Sequence, residues 1–191
     1  MSAILDVLSK RWSPRAFAPR ALEADKLHIL FEAARWAPSC YNDQPWHFLV
    51  TRRGSDATYE QLLSCLMPAN QAWAASAPVL VLNTIRKNFL HNGKPNRWAF
   101  YDLGLAVGNL LCEATHLGLH VHQMAGFDAD LAQTSLGVPQ DYEAVAVMAV
   151  GYLGDPALLP AGVQEKAPDQ RERKTLAEFV SLGHWTQGLK S

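Results

Sequence analysis

Residues 143–153 read EAVAVMAVGYL, and both the odd and the even positions of this run are dominated by apolar side chains. A strand of that kind has no face to give to water, so it belongs inside a sheet. Whatever else the chain builds has to cover it. Two further runs, 46–51 and 79–85, have strand length and composition, and a shorter one spans 119–123.

Helical spacing fills the intervals between these runs. Leu27, Leu30, Phe31 and Ala34 recur on one face of a helix over 24–36, and Pro38 disfavours helical geometry at Ala37 and ends it. The longest pattern covers 97–117, with Leu103, Val107, Leu110, Leu111, Ala114 and Leu117 on one stripe and Gly118 as the stop. Gly104, Ala106 and Gly108 give that helix a second face of small residues, suited to the centre of the molecule or to a subunit contact. Shorter helices are expected in three places. One is capped by Ser2 and carries Ile4, Leu5 and Leu8; one starts at Gly54 and Ser55 and is broken by Pro68; one follows Asp128 and ends at Gly137 and Pro139. Asn70 and Gln71 open a short Ala-rich segment ending at Pro78. Residues 86–96 form a polar loop, and 154–168 a connection rich in Pro, Gly and Ala. The tail carries apolar residues, Trp185 among them, without a local partner, a pattern that fits packing on another subunit.

At 191 residues the chain reads as one domain, 1–191. A net charge of −1 gives no electrostatic case for nucleic acid or for a membrane surface as partner. No apolar run approaches the roughly 20 residues of a spanning helix, and the start of the chain has no signal-peptide core, so the expected location is cytoplasmic. Cys40, Cys65 and Cys112 are widely spaced and odd in number, which suits reduced thiols. No metal site is expected, since His120 and His122 read as two polar residues on one strand face. A nucleophile elbow, a phosphate-binding P-loop and a dinucleotide fingerprint are all missing from the sequence. A nicotinamide donor would then bind transiently over another cofactor.

The candidate site centres on residues 33–50, AARWAPSCYNDQPWHFLV. Ser39, Tyr41, Asn42, Asp43 and Gln44 crowd the turn between helix and strand, and such groups can read a heteroaromatic edge without net charge. An ordinary polar connection is the competing reading. Arg11, Ser13 and Arg15 alternate, which in an extended segment sets two guanidinium forks around a hydroxyl, as a phosphate would require. A solvated basic turn is the alternative. Together with the second basic cluster, 171–174, these stretches make sense if they meet on one ligand, read as a flavin.

In order along the chain stand Arg11-x-Ser13-x-Arg15, Pro38-Ser39-x-x-Asn42-x-Gln44-Pro45-Trp46, Asn70, Asp102 and Gly104, Met124-Ala125-Gly126-Phe127-Asp128, Gly151-Tyr152 and Arg171-x-Arg173-Lys174. This combination resembles the FMN-dependent nitroreductase family. The resemblance implies an α+β fold, a central and mostly antiparallel sheet wrapped by helices, in an intertwined homodimer with C-terminal strand exchange and FMN at each subunit interface. By the same resemblance, Arg11, Trp12, Ser13, Arg15, Arg171 and Arg173 hold the phosphate and ribityl side, and Asn70 meets the polar edge of the ring. Pro38, Ser39, Cys40 and Asn42 come from the other subunit, as does the backbone of Ala125 and Gly126, with its N–H toward flavin N5. Residues 176–180 add to the partner's sheet. Arg15 and Ala125 are the expected catalytic residues, and Tyr41 and Phe127 the expected substrate contacts. Two departures stand out: Trp73 occupies a place where some members carry Lys, and the 85–98 region is brief.

The activity implied is reduction of nitroaromatic or quinone-type acceptors by NAD(P)H in two half-reactions. A more specialised flavin enzyme on the same scaffold, or a non-catalytic FMN-binding module, are the rivals.

Overall fold

The structure is a computed structural model that describes residues 4–55, 57–165 and 171–185. Four strands form one sheet in the order β1-β2-β4-β3, where β1 is Trp46–Arg52, β2 Val79–Arg86, β3 His120–Met124 and β4 Tyr142–Gly151. Every neighbouring pair is antiparallel. The doubly apolar run is β4, and it lies between β2 and β3 as its composition requires.

Alternation along the central strands divides the core in two. On one face Val79, Val81, Ile85, Met148 and Val150 pack under α2 (Ala24–Arg35) and α5 (Ala99–His116), through Leu27, Leu30, Leu103 and Leu110. On the other, Leu80, Leu82, Val147 and Ala149 meet Tyr59 and Leu62 of α3 (Ala57–Ser64), Trp73 of α4 (Pro68–Ala74) and Ala132 of α6 (Ala129–Ser135). Leu110 is fully buried, so trimming it to Ala costs about 2–5 kcal/mol in lost transfer energy and cavity formation.

Local chemistry explains the element boundaries. Asp128 caps α6 as expected, its side chain accepting from the Leu131 N–H at 2.9 Å. α3 already ends at Ser64, short of Pro68, and Pro68 instead opens α4, because its missing N–H falls where a helix has no internal partner for one. Asn70 therefore stands on a helix. The N-terminal helix α1 (Asp6–Lys10) buries no residue, and Ile4, Leu5 and Leu8 are exposed. Its expected cap Ser2 lies outside the described residues, as does the end of the 154–168 connection. Among the described residues no helix is long and apolar enough to cross a membrane.

Candidate functional site

The first basic segment lies beside the second. Arg171 donates from one guanidinium nitrogen to the Arg11 carbonyl and from the other to the Ser9 carbonyl at 2.8 Å. Arg11 in turn donates to the Ser13 hydroxyl at 3.3 Å. Burial, and then the charges of Arg173 and Arg171, weaken the hold of Arg11 on its proton. Three like charges brought this close favour an anion among them. Trp12 turns the other way, edge-on to His120 with ring centroids 5.7 Å apart.

Arg15 lines a cavity of about 480 Å³. Ala69, Ala72 and Trp73 of α4 form one wall and residues 161–164 another. The Arg15 guanidinium donates to the Gln164 carbonyl at 2.9 Å. Asn70, on the same helix as the wall, donates through Nδ2 to the Gly126 carbonyl at 3.0 Å, and the Met67 N–H reaches the same oxygen at 3.0 Å. A side chain at Gly126 would displace that amide, since a Cβ would come within 2.8 Å of Asn70 Nδ2. Trp73 is 2 % exposed and stacks on Phe17, so it is a core residue.

The 38–44 loop is held in an uncommon backbone shape. Tyr41, Asn42 and Gln44 have φ of 56°, 54° and 46°, left-handed values that side chains rarely adopt without support. Support comes from two carboxylates. The Cys40 N–H donates to both oxygens of Asp102, each at 3.2 Å. Asp43, with its side chain 2 % exposed, pairs with Arg86 at 2.8 Å and accepts from the Leu90 N–H at 2.9 Å. Ser39 accepts from the Gln44 N–H at 3.0 Å. Burial, reinforced by the Asp43 charge and opposed by the Cys40 N–H, pushes the Asp102 carboxyl above the usual carboxylate range. The loop presents Tyr41 at 80 % exposure, in contact with Phe89 and His91 from the 86–96 loop.

The 38–42 loop, which the resemblance assigns to the other subunit's site, is anchored at Asp102, whereas Arg11 lies beside Cys112, ten residues further along α5 or about 15 Å by helical rise. The Ala125–Gly126 backbone was assigned to the subunit opposite Asn70, yet Asn70 and Gly126 are bonded within the same chain. Phe127 is half-buried: its backbone bridges to Leu66 and it packs against the second core. Residues 176–178 form a 3₁₀ turn closed by a Thr175–Glu178 capping box. Phe179 and Trp185 beyond it are exposed.

Sequence reasoning missed Glu165, which accepts the N–H groups of Arg15 and Ala16 at 2.7 and 2.8 Å. It also missed His122, whose ring nitrogen Nδ1 lies 2.8 Å from the Pro14 carbonyl. The alternation of His120 and His122 signalled a shared strand face, but nothing local pointed to a partner 108 residues away.

Comparison with known proteins gives a consistent result. A family model described as the nitroreductase family matches residues 8–152. An uncharacterized 15.4 kDa protein of Mycolicibacterium smegmatis is 35% identical over 150 residues, covering 74% of this chain and 99% of that one. The oxygen-insensitive NAD(P)H nitroreductase of Salmonella typhimurium is 25% identical over 194 residues, covering 78% of this chain and 88% of that protein. Among solved structures, an oxidoreductase containing FMN superposes with a TM-score of 0.87 at 31% identity, over 98% of this chain and 96% of that one.

Proposed function

The chain belongs to the nitroreductase family, and from that premise we propose that it is an NAD(P)H-dependent oxidoreductase using FMN to reduce nitroaromatic or quinone-type acceptors. The observation that carries the reading is the grouping of Arg171 and Arg173 about Arg11, which itself donates to the Ser13 hydroxyl, a donor set suited to a terminal phosphate. The rest of the surface fits the same group. Arg15, two residues beyond Ser13, lines the cavity beside α4, and the Gly126 turn is bare where a side chain would intrude on Asn70.

FMN, when bound, accepts a hydride from the nicotinamide donor and passes two electrons to the acceptor. The chain's own residues bind and orient it. Arg11, Ser13, Arg171 and Arg173 would hold the phosphate side, with Trp12 behind them. Asn70 and the Ala125–Gly126 backbone would meet the ring edge from the same chain, and Arg15 would place a positive charge beside it. Tyr41 offers an exposed aromatic face to a planar substrate. Pro38, Ser39, Cys40 and Asn42 stand on the loop anchored at Asp102, about 15 Å along α5 from the contact with Arg11, and would serve the site of a second subunit.

That division supports a homodimer. Exposed Phe100 and Tyr101 stand beside Gly104 and Gly108 on α5, where the glycines face open space. Donor and acceptor would occupy one open pocket in turn, giving ping-pong kinetics in a cytoplasmic enzyme.

The test is the visible spectrum of the purified protein before and after anaerobic NADH or NADPH. A flavin spectrum that bleaches with the donor and returns with a nitroaromatic or quinone is expected. Protein that carries and takes up no FMN ends the proposal; FMN that the donor never bleaches leaves the binding module instead.

A further inference from the structure

The peptide group between Pro14 and Arg15 is gripped at both ends. Its carbonyl oxygen accepts from His122 Nδ1 at 2.8 Å, and its N–H donates to Glu165 Oε2 at 2.7 Å. A carbonyl oxygen only accepts, so Nδ1 is assigned as the protonated nitrogen. The same Glu165 oxygen takes the next N–H, that of Ala16, at 2.8 Å. Turning the peptide plane therefore breaks bonds on both sides together. The imidazole has little freedom of its own, because it lies against Trp73 with ring centroids 4.5 Å apart, and Trp73 is stacked on Phe17 at 6.3 Å. Pro14, His122 and Glu165 come from three distant parts of the chain. They converge on the one peptide that leads into Arg15.

We propose that His122 and Glu165 are positioning residues, which fix the Pro14–Arg15 peptide plane and thereby aim the Arg15 guanidinium into the cavity beside α4. The inference rests on the FMN reading for what Arg15 meets there. Arg15 is restrained at its far end by the Gln164 carbonyl, so both its root and its tip are held by the segment that ends at Glu165. A histidine suits the task chemically. Burial favours its neutral form, which donates through Nδ1 without adding a second positive charge next to Arg15.

The experiment compares His122→Leu, which removes the donor, with His122→Asn, whose amide nitrogen replaces Nδ1, and with Glu165→Ala. In the full-length chain without added FMN, hydrogen exchange at the Arg15 amide should accelerate about tenfold or more in His122→Leu and Glu165→Ala. It should stay near wild type in His122→Asn. The FMN dissociation constant, from quenching of flavin fluorescence, should rise roughly threefold to tenfold in the first two and recover in the third. The flavin midpoint potential should fall with it, since a less well placed cation stabilises the reduced form less. If His122→Leu does not fold, Glu165→Ala carries the same comparison from the loop side. Unchanged Arg15 exchange and unchanged FMN affinity in both loss variants overturn the proposal. A wild-type chain that binds no FMN overturns the FMN reading, and the exchange rates then still decide whether the two residues pin the peptide.

Discussion

Asn70 Nδ2 donates to the carbonyl oxygen of Gly126 at 3.0 Å, joining α4 to the turn that follows β3 across 56 residues of sequence. With the Met67 N–H on the same oxygen at 3.0 Å, both acceptor positions of that carbonyl are used. The turn is thereby fixed while Ala125 stays exposed. A binding edge made from these residues belongs to one chain.

Gly126→Ala tests that edge. The new Cβ would sit 2.8 Å from Asn70 Nδ2, so the flexible amide has to retreat and its hydrogen bond lengthens or breaks. Loss of one neutral hydrogen bond should cost about 0.5–1.5 kcal/mol of stability. FMN affinity should fall several-fold, as read by fluorescence titration beside a thermal melt. Affinity equal to wild type would show that Asn70 and Gly126 do not meet the cofactor.

The basic cluster should respond residue by residue. Arg15→Ala and Arg173→Ala each remove a charge-assisted contact, roughly 1.5–3 kcal/mol or about tenfold to a hundredfold in FMN affinity. Arg171→Ala should in addition loosen the N-terminal segment, because its guanidinium ties down the carbonyls of Ser9 and Arg11. Limited proteolysis near residues 9–11 reads that effect separately. Full flavin retention in the Arg15→Ala, Arg173→Ala double variant would falsify the placement of the phosphate.

Stability should fall as the solution becomes acidic through the histidine range. Burial holds His120 and His122 below their ordinary value of 6.5, so the unfolded chain binds protons that the folded chain resists. Stability from these groups is complete above 6.5 and is lost as pH drops toward the folded values. Denaturant midpoints between pH 7 and 5 should decline less steeply in a His120→Asn, His122→Asn variant than in wild type. Parallel profiles would mean that the two rings do not control the slope.

Removal of everything after Arg173 should cost both the dimer and bound flavin. Phe179 and Trp185 are exposed in the single chain, and apolar surface of that kind fits a partner subunit. Light scattering with an absorbance spectrum measures both at once. A truncated monomer that keeps its FMN would place the site within one subunit.

Sequence by itself determined most of the scaffold. Apolar positions with no polar face placed 143–153 in the interior, and period, caps and breakers such as Asp128, Pro38 and Gly118 set helix ends, because these are local effects decided within a few residues. The motif order along the chain was also enough to name the family. Tertiary structure decided which of those motifs touch. Arg11 and Arg171 meet across 160 residues, and His122 reaches Pro14 across 108, contacts that depend on how the connection after β4 returns to the N-terminal segment. The length of α5 sets the distance between the 38–42 loop, anchored at Asp102, and Arg11 beside Cys112 within one chain. Phe127 is half-buried against the second core because its backbone bridges to Leu66, 61 residues away in sequence. Spacing reports the chemistry available at each position, but the direction in which a side chain is spent is fixed only when distant segments compete for it.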